Sequence, residues 1–247
     1  MDLLIDIGNS HIKWAMLDTK GVLSNFATAQ VNDGLADILN KVWGNLPQPV
    51  SCWICSVANR HIRHLVVSFI EQRWQLAAHI VASETHAQGV TNAYTDPRRL
   101  GCDRWVAMIA AYQQTQSAVM VVSSGTAMTI DAVDEQGQHL GGLILPGKYM
   151  AEQALIANTN IELQEPVEGI ESGWLANNTE QAIQKGIILS QAALIEKLYA
   201  SLNQTHANLH CFLAGGGAKQ LSPHVGFAHT LEQHLVLKGL AKLAAST

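Results

Sequence analysis

Apolar residues fall in short blocks cut by Gly, Asn, Asp and Pro. Leu3-Leu4-Ile5 leads into Asp6-Ile7-Gly8-Asn9-Ser10, and an apolar stretch at residues 12–17 leads out. Gly accepts positive φ and Asn tolerates it, so this pattern predicts a β-hairpin with an acid at the lip of a tight turn. Residues 18–21 form a second turn and 22–29 a third strand. Helical spacing over 33–43 stops before Pro47 and Pro49. Residues 50–57 read as a buried strand. Residues 59–74 carry Ile62, Leu65, Val66, Phe69 and Ile70 at the period of an amphipathic helix. A short strand at 76–81, a long polar loop at 83–100 and a helix at 104–114 follow.

The pattern then begins again. Residues 118–122 are an apolar strand, Ser123-Ser124-Gly125-Thr126 a Gly turn, 127–133 the return strand, 134–137 a turn and 139–145 a third strand. Gly125 follows Gly8 by 117 residues, and Asp134 follows Asp18 by 116. Internal repetition constrains architecture more than any local reading. It predicts an α/β chain of two halves, 1–116 and 117–247, each a mixed sheet backed by helices. The second half continues through a Pro146-Gly147 turn, a short helix at 149–157 and irregular chain at 158–178. A long helix at 179–202, started by Asn178 and Thr179, comes next. A strand at 209–214 ends in Gly215-Gly216-Gly217, and a last helix spans about 231–244.

Composition narrows the classes. With 247 residues, 48% hydrophobic and 14% charged, the chain is expected to fold around substantial cores. A net charge of −5 without a basic run gives no reason to expect a nucleic-acid partner. No apolar run approaches the roughly 18 residues needed to span a bilayer, and Met1-Asp2 opens into a strand without a signal-peptide pattern. A cytoplasmic protein with no membrane partner is the expectation. Four scattered cysteines make no disulfide framework. Cys52-Trp53-Ile54-Cys55 has redox CxxC spacing, but in a strand that spacing puts the two thiols on opposite faces, which favours structural roles. His61 and His64 share a helix without further ligands nearby in sequence, too little for a metal site.

The glycine turns suggest chemistry. The first exposes backbone N–H groups to an anion, with Asp6 able to hold a metal ion through water and Lys13 to neutralise a phosphate; a plain surface hairpin accounts for the same residues. Two such turns facing each other across a cleft would clamp a polyphosphate, and LAGGGAK would let a purine or ribose approach the backbone. In LGCDRW, residues 100–105, Asp103 suits a general base and Arg104 an anionic group through its planar fork. A helix cap with a solvated neighbour is the alternative there. Phosphoryl transfer to a hydroxyl asks for such an oriented carboxylate together with positioning and charge stabilisation.

DIGNS near the N-terminus, Tyr94 followed by LGCDRW, SSGTAMTID, GGLILPG and NNTEQAI stand in the order and spacing of type III pantothenate kinases. The chain resembles that family from residue 2 to about 240. The resemblance implies duplicated actin-like (ribonuclease H-like) ATPase domains, mixed sheets flanked by helices, acting as a homodimer. It implies phosphorylation of pantothenate by ATP with Mg²⁺, the first step towards coenzyme A. Matching positions make Asp6, Ile7, Gly8, Asn9, Ser10, His11, Ile12 and Lys13 the first phosphate loop, and Thr126 an ATP contact. Tyr94, Gly101, Cys102, Asp103 and Arg104 match the pantothenate site, with Asp103 the proton acceptor. Thr179 matches a threonine reaching the neighbouring subunit's pocket, though it also suits a helix N-cap, and residues 141–147 are expected to wall the acceptor pocket. Where the family's second loop commonly carries an Asp ligand for a monovalent cation (potassium or ammonium), this chain has Ser123. A hydroxyl is a weaker ligand for a hard cation, so weak or absent potassium dependence is expected. Asp131 is a carboxylate nearby, inside a strand. A non-catalytic accessory protein, another small-molecule kinase and a polyphosphate phosphatase are the competing readings.

Overall fold

A computed structural model describes residues 1–32, 34–159 and 173–246. Residue 33, where the first helix was expected to start, and most of the irregular stretch at 158–178 lie outside the described residues. The chain divides into two compact units. Unit 1 is Met1–Gln116 with Gln136–His139 and His234–Thr247; unit 2 is Ser117–Glu135 with Leu140–Gln233. Relative to halves cut at 116, the C-terminal helix and one turn belong to unit 1.

Unit 1 opens with β1 (Asp2–Ile7), β2 (His11–Leu17) and β3 (Leu23–Gln30), followed by α1 (Leu35–Trp43), β4 (Cys52–Ser56), α2 (Arg60–Trp74) and β5 (His79–Ile80). The strand order is β3-β2-β1-β4-β5, with β1 antiparallel to β2 and parallel to β4. Side chains alternate along a strand. Leu3, Ile5 and Ile7 therefore share one face, where they are buried with Trp14, Trp43, Val66, Ile70 and Trp74. The α2 N-terminus is closed by Asn59, whose side chain accepts from the Ile62 N–H.

The expected long loop is partly ordered by its own backbone. β6 (His86–Ala87) and β7 (Val90–Thr91) make a small hairpin around Gln88-Gly89, both at positive φ, and Pro97–Arg99 is a 3₁₀ turn. α3 (Cys102–Thr115) begins two residues before the expected position, so Asp103 and Arg104 sit in its first turn. It is buried nearly all round, the mark of a helix enclosed by protein.

Unit 2 repeats the plan with β8 (Val119–Ser124), β9 (Ala127–Val133), β10 (His139–Pro146), α4 (Lys148–Ala157), α5 (Thr179–Leu202), β11 (His210–Ala214), α6 (Ala218–Leu221) and β12 (Thr230–Leu231). Its order, β10-β9-β8-β11-β12, has the same directions: β8 antiparallel to β9 and parallel to β11. Met120, Val122, Met128, Ile130, Ile188, Ile195 and Leu213 form its core. The last helix, α7 (Leu235–Ala244), starts later than expected, because Thr230 and Leu231 pair with β11 as a strand. α7 lies in unit 1 against α3, so close that a Cβ on Gly239 would overlap the carbonyl of Val106.

The duplication accounts for the unequal sequence offsets. Ile7 pairs with Ile12 across the first turn, and Ser124 with Met128 across the second. The second turn is one residue shorter, so the offset falls from 117 to 116 inside the turn itself. Asp6 and Ser123 consequently occupy equivalent strand positions, each followed by an inward residue and a glycine.

Candidate active site

Asp6 sits on the face of β1 opposite the tryptophan-rich core. Its register partners are Lys13 on β2 and Cys55 on β4, and neighbouring partners project from the same face. α3 and α7 lie against β4 and β1. Burial therefore dominates the Asp6 carboxyl and pushes its pKa up to about 7; Lys13 opposes the shift and Asp103 adds to it. The two carboxylates are close enough to sense each other.

Asp103 follows Gly101, the N-cap residue of α3, and its Oδ1 accepts the Arg104 N–H at 2.8 Å. An added Cβ on Gly101 would stand 2.7 Å from that oxygen. Beside it the Cys55 thiol meets Cys102 with the sulfurs 3.1 Å apart, and Cys102 is also 3.4 Å from the Ser56 carbonyl. Desolvation drives Cys55 well above the ordinary thiol range, while the hydrogen bond from Cys55 draws Cys102 down. Both thiols also feel Asp6 and Asp103.

Arg104 is buried, and its Nη1 donates to the Tyr94 hydroxyl at 3.1 Å, with the guanidinium carbon 5.9 Å from the ring centroid. Tyr94 is held in turn. Its N–H donates to Asn92 Oδ1 at 2.9 Å, and its ring lies parallel to that of the buried His139. Asn92 donates to the carbonyls of Glu84 and Pro97, and the buried Ser83 hydroxyl donates to that of Leu100 at 2.8 Å. A polar segment on this scale keeps one shape because buried side chains satisfy its carbonyls.

In unit 2 three glycine turns meet at the end of β8. The Gly125 N–H donates to the Ala127 carbonyl, that of Gly147 to Thr126, and that of Gly217 to Ser124, each at 3.0 Å. A Cβ on Gly147 would overlap the Gly125 carbonyl, and one on Gly215 would overlap that of Ser124. Gly215 also has φ +87°, a conformation a larger residue enters only under strain. Gly125 and Thr126 remain exposed. The result is a cradle of bare backbone at a strand end, a place where a flat or anionic ligand can approach.

A family model described as type III pantothenate kinase matches residues 2–201. A type III pantothenate kinase of Nitrosococcus oceani is 31% identical over 253 residues, covering 100% of this chain and 95% of that protein. This chain belongs to the type III pantothenate kinase family. A solved structure of a conserved Baf family protein from Campylobacter jejuni has a TM-score of 0.61 at 20% identity, covering 99% of this chain and 98% of that one. The activator of 2-hydroxyisocaproyl-CoA dehydratase from Clostridium difficile, solved with bound ADPNP, has a TM-score of 0.53 at 12% identity, with 99% and 94% coverage. The fold is the duplicated actin-like ATPase fold.

Within this family frame, the expected residues distribute as follows. Asp6, Lys13, Tyr94, Cys102, Asp103 and Arg104 all lie in unit 1, on β1, β2, the loop after β7 and the start of α3. Ile7 and Ile12 are wholly buried in the core, so only their main chain faces the turn. Asn9, Ser10 and His11 are exposed on it. Thr126 lies on the unit 2 cradle. Thr179 lies elsewhere in unit 2, on a groove between α4 and α5 lined also by Leu155, Ile183 and Ile187. Its expected capping role falls to Asn178, which accepts the Gln181 N–H at 2.9 Å. Asp131 is buried in β9. His139, the first residue of β10, and Cys55, whose CxxC spacing suggested only a structural role, are the neighbours of the site that the sequence did not assign to it.

Proposed function

We propose that this chain transfers the γ-phosphoryl group of ATP to the primary hydroxyl of pantothenate, the first step of coenzyme A synthesis. Membership of the family makes it a kinase acting on pantothenate. The observation that supports a working site is the cluster in unit 1: two carboxylates, Asp6 and Asp103, with a buried arginine oriented by Tyr94. In this reading Asp103 takes the proton of the attacking hydroxyl, and Arg104 holds the carboxylate of pantothenate through its planar fork. The residue 6–13 turn and the glycine cradle around Thr126 bind phosphates through main-chain N–H groups.

ATP fits the residues present, because the cradle is kept open where side chains would fill it. Mg²⁺ would be held at Asp6 through water. A hard cation of this kind keeps several of its waters and binds mainly to phosphate oxygens, so a single carboxylate of the protein suffices. When bound, it neutralises charge on the transferring phosphates.

Release of ADP measured with and without pantothenate tests the reading. ADP formed only when both substrates are present supports it. ADP formed with ATP alone would mark a hydrolase, and none under either condition would mark an accessory protein.

The same proposal includes a homodimer. Ile144, Tyr149, Met150 and Leu155 are large apolar side chains left exposed on β10 and α4, with Trp174 and Leu175 exposed just before α5. A second copy of this chain seated there would cover the groove that carries Thr179. No helix among the described residues is long and apolar enough to cross a membrane.

A further inference from the structure

Cys55 and Cys102 come from different elements, yet their sulfurs are 3.1 Å apart and both thiols are free. We propose that they form an oxidative modification site: a dithiol that a hydroperoxide converts to a Cys55–Cys102 disulfide beside Asp103. The CxxC partner is not the one involved. Cys52 pairs with Leu3 and is buried in the tryptophan-rich core, on the opposite face of β4 from Cys55.

The chemistry balances with a hydroperoxide as oxidant. Cys102 retains a little exposure, 8%, against 0% for Cys55, and lies at the start of α3, so its sulfur is the one an oxidant reaches. The Cys102 thiolate attacks the outer oxygen, the O–O bond breaks, and a sulfenic acid forms with release of an alcohol or water. The Cys55 sulfur then attacks Cys102, the S–S bond forms, and the S–O bond breaks. The hydroxyl leaves as water with the Cys55 proton. Two thiols lose two electrons, and the peroxide gains them.

A disulfide has S–S of about 2.05 Å, so the sulfurs must close by about 1 Å. Cys55 lies in β4, flanked on both sides by β1 and β5, and cannot easily move. The displacement falls on the first turn of α3, where Asp103 is the next residue. A misplacement of this size costs a positioned reaction roughly a hundredfold. This consequence rests on the proposed role of Asp103; formation of the bond does not.

The full-length protein, treated with hydrogen peroxide and digested by trypsin without reduction, tests the idea. The expected product joins the peptide of residues 42–60 to that of 100–104, and dithiothreitol separates them. Cys52→Ser should still form it. Cys55→Ser should not, with Cys55→Ala as the substitute if serine is not tolerated in the buried site. Absence of the linked peptides from the peroxide-treated unaltered protein, or their persistence in the Cys55 variants, overturns the assignment. Pantothenate-dependent turnover should fall roughly tenfold to a hundredfold on oxidation and return on reduction. Linked protein with unchanged turnover would overturn the displacement of Asp103. An unoxidised protein without pantothenate-dependent turnover would count against the kinase reading instead, leaving the peptide result to decide the disulfide.

Discussion

Asp6 and Lys13 face each other across the antiparallel register of β1 and β2, and the lysine only partly offsets the cost of burying the carboxylate. That unequal contest makes the acid at the lip of the first turn a source of instability in the free protein. It also makes the site receptive to positive charge, which the metal ion that accompanies a triphosphate would supply.

The imbalance predicts a pH signature. An unfolded Asp ionises near 3.9, whereas folded Asp6 holds its proton to about 7. Between those values the folded chain binds more protons than the unfolded one, so this group lowers stability as pH rises, levelling off above about 7. Asp6→Asn removes the cost. Its melting temperature, measured without nucleotide or divalent ion, should exceed that of the unaltered protein by a margin that widens from pH 5 to pH 8. A margin independent of pH would show that Asp6 does not titrate in this window. The same variant should engage Mg–nucleotide poorly throughout.

Asp103→Asn separates chemistry from binding. Loss of a general base typically costs 10²- to 10⁴-fold, or about 3–5 kcal/mol at 1.36 per decade. The turnover number should fall by that order while nucleotide binding, followed by fluorescence or calorimetry, stays near normal. Near-normal turnover would remove Asp103 from the proton transfer.

The glycine cradle of unit 2 carries its own prediction. Gly215→Ala puts a methyl group against the Ser124 carbonyl and forces a positive φ on a residue with a Cβ. Overpacking and backbone strain each cost about 1–3 kcal/mol. The urea midpoint should drop accordingly with an unchanged slope, and ATP protection against unfolding should weaken.

Much of this was legible in the chain because local chemistry and tertiary need coincide. Gly8-Asn9 and Gly125 close turns between apolar strands, and a repeat of such units can only be a repeated sheet. Other features depend on what is brought from far away. Leu231 lies close to the helical run of α7 in sequence, but pairing with Leu213 on β11 makes it a strand. Cys55 reads as half of a CxxC until strand alternation turns it from Cys52 toward a thiol 47 residues on. His139 belongs to the hairpin of the second repeat, and only its fold against Tyr94 gives it a part in the site. Ile7 and Ile12 fall within a matched motif, yet their side chains serve the core.

Gly186 offers a clean test of the dimer. It lines the α4–α5 groove, and a Cβ there would meet nothing within 4 Å. Replacing an interior helical Gly favours the helix by a few tenths up to about 1 kcal/mol. Gly186→Glu should therefore leave the fold intact by circular dichroism while shifting sedimentation from dimer to monomer. If Thr179 completes a neighbour's pocket, the affinity for pantothenate should weaken in the same variant. A monomeric unaltered protein would end the proposal.

Ser123 is the unit 2 counterpart of Asp6, flanked in register by Thr129 on β9 and Ala214 on β11. A hydroxyl there carries no charge, and its half-buried position does not call for a counter-ion. A carboxylate at that position would be desolvated as Asp6 is, without a lysine opposite it, and would be relieved by a bound monovalent cation. Turnover of the unaltered protein should consequently be similar in sodium, potassium and ammonium salts at equal ionic strength. Ser123→Asp should acquire activation by potassium or ammonium over sodium. Strong potassium activation of the unaltered protein would place the cation on other ligands and set aside the role given to this position.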